Sequence, residues 1–323
     1  MIDDQVAVVL RTLDGGSTWE RFEPGVKSAL FAVAALGEET AWAAGENGTV
    51  VVTEDGGATW RLLSTGTGDH LKAINVPAPG IAWAAGETGV IVKTEDGGAT
   101  WRTQEAGVKA PLSSVYAVDA SRAWATGSGG FMRRTADGGA TWSPQESGTR
   151  NNLLSIYAAD ADNAWAVGEN GAVLRTYDGG DTWIPQYIGD GRGLYDACAT
   201  SADHAWAAGE SGAVLRTENG GFTWDAIYAG TAKDLFGITA ADADHAWTVG
   251  KDGLVLYTRD AGRSWEEQLS RASYDLHDVS CTGDVVWAVG RKGTVIRSDD
   301  GGQVWLRRDC GEKSSGEVWN EKS

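Results

Sequence analysis

A short motif that recurs at a fixed spacing constrains this chain more than any other feature. One copy runs Thr53-Glu-Asp-Gly-Gly-Ala-Thr-Trp60 and reads T-x-D-x-G-x-T-W. Its closing tryptophan returns at intervals of 41 residues six times and then 40, at Trp19, Trp60, Trp101, Trp142, Trp183, Trp224, Trp265 and Trp305. Internal repetition at a fixed period of this order is typical of propellers and other repeat folds. The spacing therefore predicts one array of similar units.

Each unit has the pattern of four short strands. In the unit that begins at Leu30, apolar or β-branched runs cover 30–36, 40–45, 49–53 and 60–63. Turn residues separate these runs, and the Asn47-Gly48 pair favours positive φ. Helical spacing is absent. Four short strands per repeat predict an all-β fold, a β-propeller of four-stranded blades that forms one domain over residues 1–308.

The number of blades depends on the two ends of the chain. Seven complete units run from Leu30 to Arg307, and residues 6–22 supply only the last two strands of another. In the C-terminal tail, residues 309–323, the segment 316–320 is in register to act as a first strand. We expect the ends to share an eighth blade, because closure removes exposed sheet edges. The alternative is a seven-bladed ring with the leftover hairpin displaced.

The repeated motif itself has a structural interpretation. Its acidic side chain can accept hydrogen bonds from the backbone of its own turn, and its glycines can adopt positive φ. The motif resembles the Asp-box, or BNR repeat, and the predicted capping residues are Asp14, Asp55, Asp96, Asp137, Asp178, Asn219, Asp260 and Asp300. Three cysteines and four histidines are scattered without metal-ligand spacing. We therefore predict no metal site and no cofactor.

Composition limits the class of partner. The formal net charge is −18, from 45 acidic and 27 basic residues, which opposes broad binding to nucleic acids or anionic membranes. No apolar run approaches the roughly 18 residues that a membrane-spanning helix needs. The first residues do not have the pattern of a secretion signal. A cytoplasmic monomer is the expectation.

The positions where repeats disagree are the candidates for binding. Each predicted first strand starts with leucine, but the next residue varies and includes Phe31, Lys72, Tyr195, Phe236 and His277. By strand alternation these side chains lie on the face opposite the Asp-box turns. Mixed aromatic and polar side chains suit a ligand pocket. The alternative is neutral drift of surface residues.

Basic residues on the same face are a second candidate. Arg150 and Arg192 lie in connections that enter a blade, whereas Lys251, Arg291 and Lys292 lie in turns between second and third strands. If the ring closes, the last three and Lys27 would form a basic arc able to dock an acidic partner or a carboxylate. The alternative is a ring of surface ion pairs, each contributing about 0–1 kcal/mol.

Catalysis has one weak candidate pair. Glycoside hydrolysis needs two carboxylates about 5–10 Å apart, and Asp196 and Asp278 lie near the starts of two first strands. The common nucleophile, zinc-protease and phosphate-loop motifs are absent.

The full repeat pattern points to a known family. The pattern AWAxGxxGxxxxTxDGGxTW, as in Ala164 through Trp183, resembles the photosystem II stability/assembly factor family over nearly the whole chain. The resemblance implies a non-enzymatic propeller that binds a protein or peptide partner on the face away from the Asp-boxes. The alternatives are a carbohydrate-binding or glycoside-hydrolysing propeller, and a structural or designed repeat protein without a ligand.

Overall fold

The fold consists of antiparallel sheets that follow one another along the chain. The computed structural model describes residues 9–11, 20–22, 30–37, 39–55, 59–107, 109–186, 191–270, 272–282, 285–290, 295–298 and 305–308. Over these residues it contains seven four-stranded sheets and a two-stranded hairpin, Val9–Arg11 with Glu20–Phe22. Helix there is confined to single 3-10 turns, none of which is long enough to cross a membrane. The predicted all-β class is confirmed.

The strands occur at the same place in each repeat. First strands span Leu30–Leu36, Leu71–Ala78, Leu112–Ala117, Leu153–Ala158, Leu194–Ala199, Leu235–Ala240 and Leu276–Thr282. Second strands span Thr40–Gly45, Ile81–Gly86, Ala123–Gly127, Ala164–Gly168, Ala205–Gly209, Ala246–Gly250 and Val285–Gly290. Third strands span Thr49–Thr53, Ile91–Thr94, Met132–Thr135, Val173–Thr176, Ala213–Thr217, Val255–Thr258 and Val295–Ser298. Fourth strands span Arg61–Ser64, Arg102–Thr103, Ser143–Pro144, Ile184–Gln186, Asp225–Tyr228, Glu266–Glu267 and Leu306–Arg308.

Strand order places the first strand of each sheet innermost. Within every four-stranded sheet the spatial order equals the chain order, and neighbours pair antiparallel. First strands of successive sheets contact one another, from the sheet of residues 30–64 to that of residues 276–308. They therefore surround a central channel, and the fourth strands form the outer edges. The eighth blade shared by the termini stays a prediction, because the tail 309–323 lies outside the described residues.

Tryptophans fill the space between neighbouring sheets. Trp42 and Trp83 in second strands are 1% and 0% exposed. Each meets the Asp-box tryptophan of the next sheet edge-on, with ring centroids 6.1 Å apart for Trp42 and Trp101 and 5.8 Å for Trp83 and Trp142. This T-shaped geometry is the favourable one for aromatic pairs. Tryptophan is a core residue of the repeat, as predicted.

The Asp-box turns have the hydrogen bonds that the motif predicts. Asp96 accepts bonds from the Thr100 amide at 2.8 Å, the Thr100 hydroxyl at 2.6 Å and the Thr94 hydroxyl at 2.9 Å. The Thr94 hydroxyl also accepts from the Gly98 amide at 2.9 Å. The hydroxyl bond from Thr100 is the main reason that the pKa of Asp96 falls to about 2. The carboxylate is fully used in holding the turn.

The described copies repeat this geometry, including the copy with asparagine. Asn219 accepts from the Thr223 amide at 3.0 Å, and its own amide donates to the Thr223 hydroxyl at 2.9 Å. Asp14 and Asp300 lie outside the described residues. The structural role that we predict for the Asp-box aspartates therefore holds where the turns are described.

Turns between second and third strands lie at the opposite end of each sheet. The 3-10 turns are Glu46–Gly48, Glu87–Gly89, Ser128–Gly130, Glu169–Gly171, Glu210–Gly212 and Lys251–Gly253. Asn47 has φ 55°, as the Asn-Gly pair predicts. Gly130 has φ 76°, and a Cβ there would lie 2.1 Å from the carbonyl oxygen of Thr149. The close approach of the entering connection requires glycine.

Buried cations join neighbouring sheets near the Asp-boxes. The guanidinium of Arg175, a 0% exposed residue, donates to the carbonyl oxygens of Ala202 at 3.1 Å and Gly220 at 3.0 Å in the next sheet's repeat. Lys93 occupies the equivalent position and donates to the carbonyl oxygens of Ala120 at 2.7 Å and Gly138 at 3.1 Å. Each cation lies over the tryptophan of its own second strand. Hydrogen bonds from buried cationic side chains therefore join neighbouring sheets near the Asp-boxes.

Candidate functional site

The variable residue after each first-strand leucine lies at a β-bulge. In all seven four-stranded sheets the pairing of first and second strands shifts between the leucine and the residue two positions later. The residue between them is left out of the ladder, and a bulge of this kind re-aims a side chain. We call these residues the mouth row: Phe31, Lys72, Ser113, Leu154, Tyr195, Phe236 and His277. The six first-strand leucines from Leu71 to Leu276 are buried, whereas the mouth row varies.

Aromatic side chains of the mouth row contact one another across sheets. The ring centroids of Tyr195 and Phe236 are 5.6 Å apart, and those of Phe236 and His277 are 5.5 Å apart. In another part of the row the ammonium of Lys72 lies 3.9 Å from the centroid of Phe31. The five predicted binding residues of this row therefore lie in two groups of neighbours. One group is Tyr195, Phe236 and His277, and the other is Phe31 and Lys72.

Acidic side chains surround these rings. Glu87 pairs with Lys72 at 3.3 Å, and Glu210 accepts a bond from the Gly193 amide at 2.9 Å. Burial raises the pKa of Tyr195, and the nearby Asp234 and Glu210 carboxylates raise it further. The tyrosine hydroxyl therefore stays protonated and able to donate a hydrogen bond at neutral pH.

A cleft of about 630 Å³ opens beside the mouth row. It lies between the second and third of the four-stranded sheets, and its lining includes Lys72, Glu87, Lys109 and Ser113. Two of these, Lys72 and Ser113, belong to the mouth row itself. The cleft therefore continues the row outward and provides ammonium and carboxylate groups.

Side chains from each entering connection support the turns next to the mouth row. Asp234 accepts a bond from the Ser211 amide at 2.8 Å, and Asp275 accepts one from the Asp252 amide at 3.0 Å. His70 accepts from the Asn47 amide at 3.0 Å. Each of these three residues connects one turn to the segment that enters the next sheet.

The predicted basic residues are less concentrated. Arg150 and Lys251 are exposed, and Arg192 donates to the carbonyl oxygen of Ser211 at 3.2 Å. Lys27, Arg291 and Lys292 lie outside the described residues, so the basic arc stays a prediction.

Asp196 and Asp278 lie one step deeper in the channel than the mouth row. One carboxylate oxygen of Asp196 accepts from the Ser155 hydroxyl at 3.1 Å, and the other accepts from the Ile238 amide at 3.0 Å. Asp196 therefore bridges the first strands on both sides of its own. Asp278 accepts from the Val279 amide at 2.8 Å. Burial raises the pKa of Asp278 to about 7, with a further contribution from the charge of Asp196.

Other polar side chains of first strands also join neighbouring first strands. Asn75 accepts from the Ala117 amide at 3.0 Å, and the Ser114 hydroxyl accepts from the Ile156 amide at 3.3 Å. The role of Asp196 as a bridge therefore matches that of its neighbours. Among the described residues no group of three or more histidine, cysteine or acidic side chains could hold a metal ion.

Sequence reasoning singled out five mouth-row residues as binding candidates, but it did not predict the bulges or a feature on the Asp-box face. There, the side chains of Tyr177 and Phe222 stack with ring centroids 5.7 Å apart, and Phe222 is 79% exposed. Both occupy variable positions inside the Asp-box repeats. Two aromatic residues at positions that are polar or small in the neighbouring Asp-boxes could have been noticed in the sequence. The two positions are 45 residues apart, however, so the repeat period alone does not predict that their side chains are in contact.

Comparisons with known proteins place the chain in one family. A family model described as the photosynthesis system II assembly factor YCF48 matches residues 136–232 and 223–320, together more than half of the chain. No curated protein matches in sequence.

Solved structures agree on the fold. A structure of YCF48 bound to D1 peptide is 16% identical, with a TM-score of 0.70 over 92% of this chain and 98% of that one. YCF48 from Cyanidioschyzon merolae is 18% identical, with a TM-score of 0.68 over 90% and 98%. The GH74 xyloglucanase from Xanthomonas campestris is 13% identical, with a TM-score of 0.68 over 92% of this chain and 54% of that one. The sequence match, unlike these distant folds, defines the relationship: this chain belongs to the family of the photosynthesis system II assembly factor YCF48.

Proposed function

We propose that this chain is a non-enzymatic scaffold that binds a peptide segment of a partner protein across its mouth row. The observation that carries the proposal is the bulge in each four-stranded sheet, which releases one side chain per sheet toward the channel mouth. The family match and the D1 peptide bound by the YCF48 structure support this assignment.

The chemistry of the face suits a peptide better than a compact metabolite. The Tyr195, Phe236 and His277 rings form a row that can pack along several side chains, and the cleft at Lys72 and Lys109 offers cations to a carboxylate. Glu87 and Glu210 can receive amide or ammonium donors. Hydrophobic rings with separated polar groups are the composition of peptide-binding surfaces.

Glycoside hydrolysis at Asp196 and Asp278 is the less supported alternative. Both carboxylate oxygens of Asp196 already accept hydrogen bonds from neighbouring strands. These two bonds give Asp196 a structural role between first strands. The similarity to a xyloglucanase extends to the fold and provides no residue-level support.

Peptide binding is tested with fluorescently labelled, overlapping D1 peptides and fluorescence anisotropy. We expect one region of D1 to bind, and the double substitution Tyr195→Ala/Phe236→Ala to weaken it by about tenfold or more, because two ring contacts are lost. Tyr228→Ala is the matched control: Tyr228 is 82% exposed on a fourth strand away from the mouth row.

Two results would count against the proposal. Equal affinity of the double variant and the wild type would place the peptide elsewhere. Failure of every D1 peptide to bind, together with no photo-crosslinked polypeptide from a benzoylphenylalanine placed at Ser113 in cells, would remove peptide binding at this face.

A further inference from the structure

An exposed aromatic pair interrupts the otherwise polar Asp-box face. Tyr177 lies between the last threonine of a third strand and the capping residue Asp178, and Phe222 lies in the next Asp-box, before Thr223. In the neighbouring Asp-boxes the position of Tyr177 holds Glu95, Ala136 or Glu218, and that of Phe222 holds Ala99, Ala140, Asp181 or Arg263. The pair is therefore a local departure that the fold does not need.

The pair is held rigidly from behind. The hydroxyl of Tyr177 donates to the carbonyl oxygen of Gly220 at 2.7 Å. The guanidinium of Arg175 lies 4.3 Å from the ring centroid of Tyr177 and 3.7 Å from that of Trp165. A stack of side chains therefore runs from the core to the surface, in the order Trp165, Arg175, Tyr177 and Phe222. Phe222 is the exposed member of this stack.

Exposed charges around the outer ring are negative. The Asp203 carboxylate and the Tyr177 ring both lie 3.7 Å from the point that a Cβ of Gly220 would occupy. Glu218 in the same Asp-box and Asp225 just after it are also exposed. Arg175 is buried beneath the Tyr177 ring, and the buried Arg216 forms an ion pair with Glu218, so that Asp203 and Asp225 are the carboxylates that remain for a partner. The exposed surface here therefore consists of aromatic rings with carboxylate groups beside them.

We propose that Tyr177, Phe222 and Asp203 form a docking site for an arginine or lysine side chain of a basic segment in a partner protein. An aromatic face attracts a cation, and a carboxylate at its edge supplies the counter-charge. The chain's net charge of −18 would draw such a segment toward this surface. The site lies on the face opposite the mouth row and does not depend on peptide binding there.

The test uses the full chain and a fluorescein-labelled peptide with three arginines spaced by glycine and serine. Its partner is the same peptide with citrulline, which keeps the shape of arginine and removes the charge. We expect Phe222→Ala to weaken the arginine peptide by about two- to fivefold, the range of a single exposed cation–π contact. Alanine is the residue that Ala99 and Ala140 place at this position, so folding should be retained.

Controls separate this site from general attraction to an acidic protein. Tyr228→Ala should leave affinity unchanged, Phe222→Trp should preserve or raise it, and Asp203→Asn should lower it and flatten its dependence on salt. Citrulline binding equal to arginine binding would overturn the proposal, as would equal affinity of Phe222→Ala and wild type. Self-association that Phe222→Ala abolishes, seen by sedimentation velocity without any arginine preference, would assign the surface to a second copy instead.

Discussion

Asp278 lies beneath the mouth row, close enough to Asp196 for the two carboxyl groups to interact electrostatically. Asp196 is anchored by bonds from two neighbouring strands, whereas Asp278 accepts only a bond from its adjacent amide among those resolved. Burial and the charge of Asp196 both disfavour its ionised form. The pair is therefore a site where protonation and folding are coupled.

The pKa of Asp278 predicts a pH-dependent stability. An unfolded aspartate titrates near a pKa of about 3.9, and the folded value of about 7 is higher. The contribution to the free energy of unfolding is therefore fully present below pH about 4 and is lost as pH rises to about 7. Asp278→Asn should remove this loss, because its side-chain oxygen still accepts from Val279.

Urea denaturation at pH 4, 6 and 8 measures the effect. The variant should unfold at a higher urea concentration than wild type at pH 8 and at a similar one at pH 4. A constant difference between the two proteins across this range would contradict the raised pKa.

The Asp-box turn is an element whose requirements the chain itself reveals. Asp96 accepts three bonds in its turn, and Asn219 keeps all three equivalent contacts in another turn, one of them with the donor reversed. The turn therefore needs an acceptor and a partner for the threonine hydroxyl, but it does not need the negative charge.

This comparison predicts different outcomes for two substitutions. Asp96→Asn should melt close to wild type at pH 7, whereas Asp96→Ala should lower the melting temperature by about 2–4 °C, the scale expected for a lost cap. Differential scanning calorimetry of both variants gives the ordering. If alanine proved as stable as asparagine, the hydrogen bonds of the turn would contribute nothing to the fold.

At the scale of the whole molecule, successive sheets are joined by apolar rings and by buried cations. Arg175 donates to backbone carbonyls of the next sheet's repeat and is enclosed by Trp165 and Tyr177. Burial lowers its pKa to about 10, so it remains charged at neutral pH. Removing it would take a donor from the Ala202 carbonyl oxygen and leave the Gly220 carbonyl oxygen with the Tyr177 hydroxyl, a costly change in a low-dielectric interior.

The loss in the free energy of unfolding should depend on whether the side chain that replaces Arg175 can still donate hydrogen bonds. Arg175→Met should reduce the free energy of unfolding by about 2–4 kcal/mol. Arg175→Lys should cost less, because Lys93 already makes the equivalent two carbonyl contacts between another pair of sheets. Chemical denaturation of the two variants compares them directly. Equal losses would show that the aromatic enclosure of the guanidinium matters more than its hydrogen bonds.

The repeat period accounts for most of what the sequence predicted. Strands at 30–36, 40–45 and 49–53 are confirmed to the residue, and the fourth strand is displaced by one, to Arg61–Ser64. The mouth row was found from variation alone, because its position after each leucine is visible in the repeats. The bulge that releases it is a matter of strand register, which composition does not encode.

Contacts between repeats were harder to predict. The bridging role of Asp196 depends on Ser155 and Ile238, each about one repeat away, and the Tyr177–Phe222 pair joins different positions of adjacent repeats. A period states which residues are equivalent, but it does not state which non-equivalent residues meet. The period alone therefore leaves Asp196 as a weak catalytic candidate and does not reveal the Tyr177–Phe222 pair.

The bulge has a consequence for how such a protein can change over generations. A mouth-row residue is outside the strand ladder, whereas the preceding leucines from Leu71 to Leu276 are buried in the core. A mutation there can alter recognition while the unit beneath it stays intact. One such position occurs in each four-stranded sheet. Binding specificity can therefore change by one substitution in one sheet at a time, while the sheets themselves stay the same.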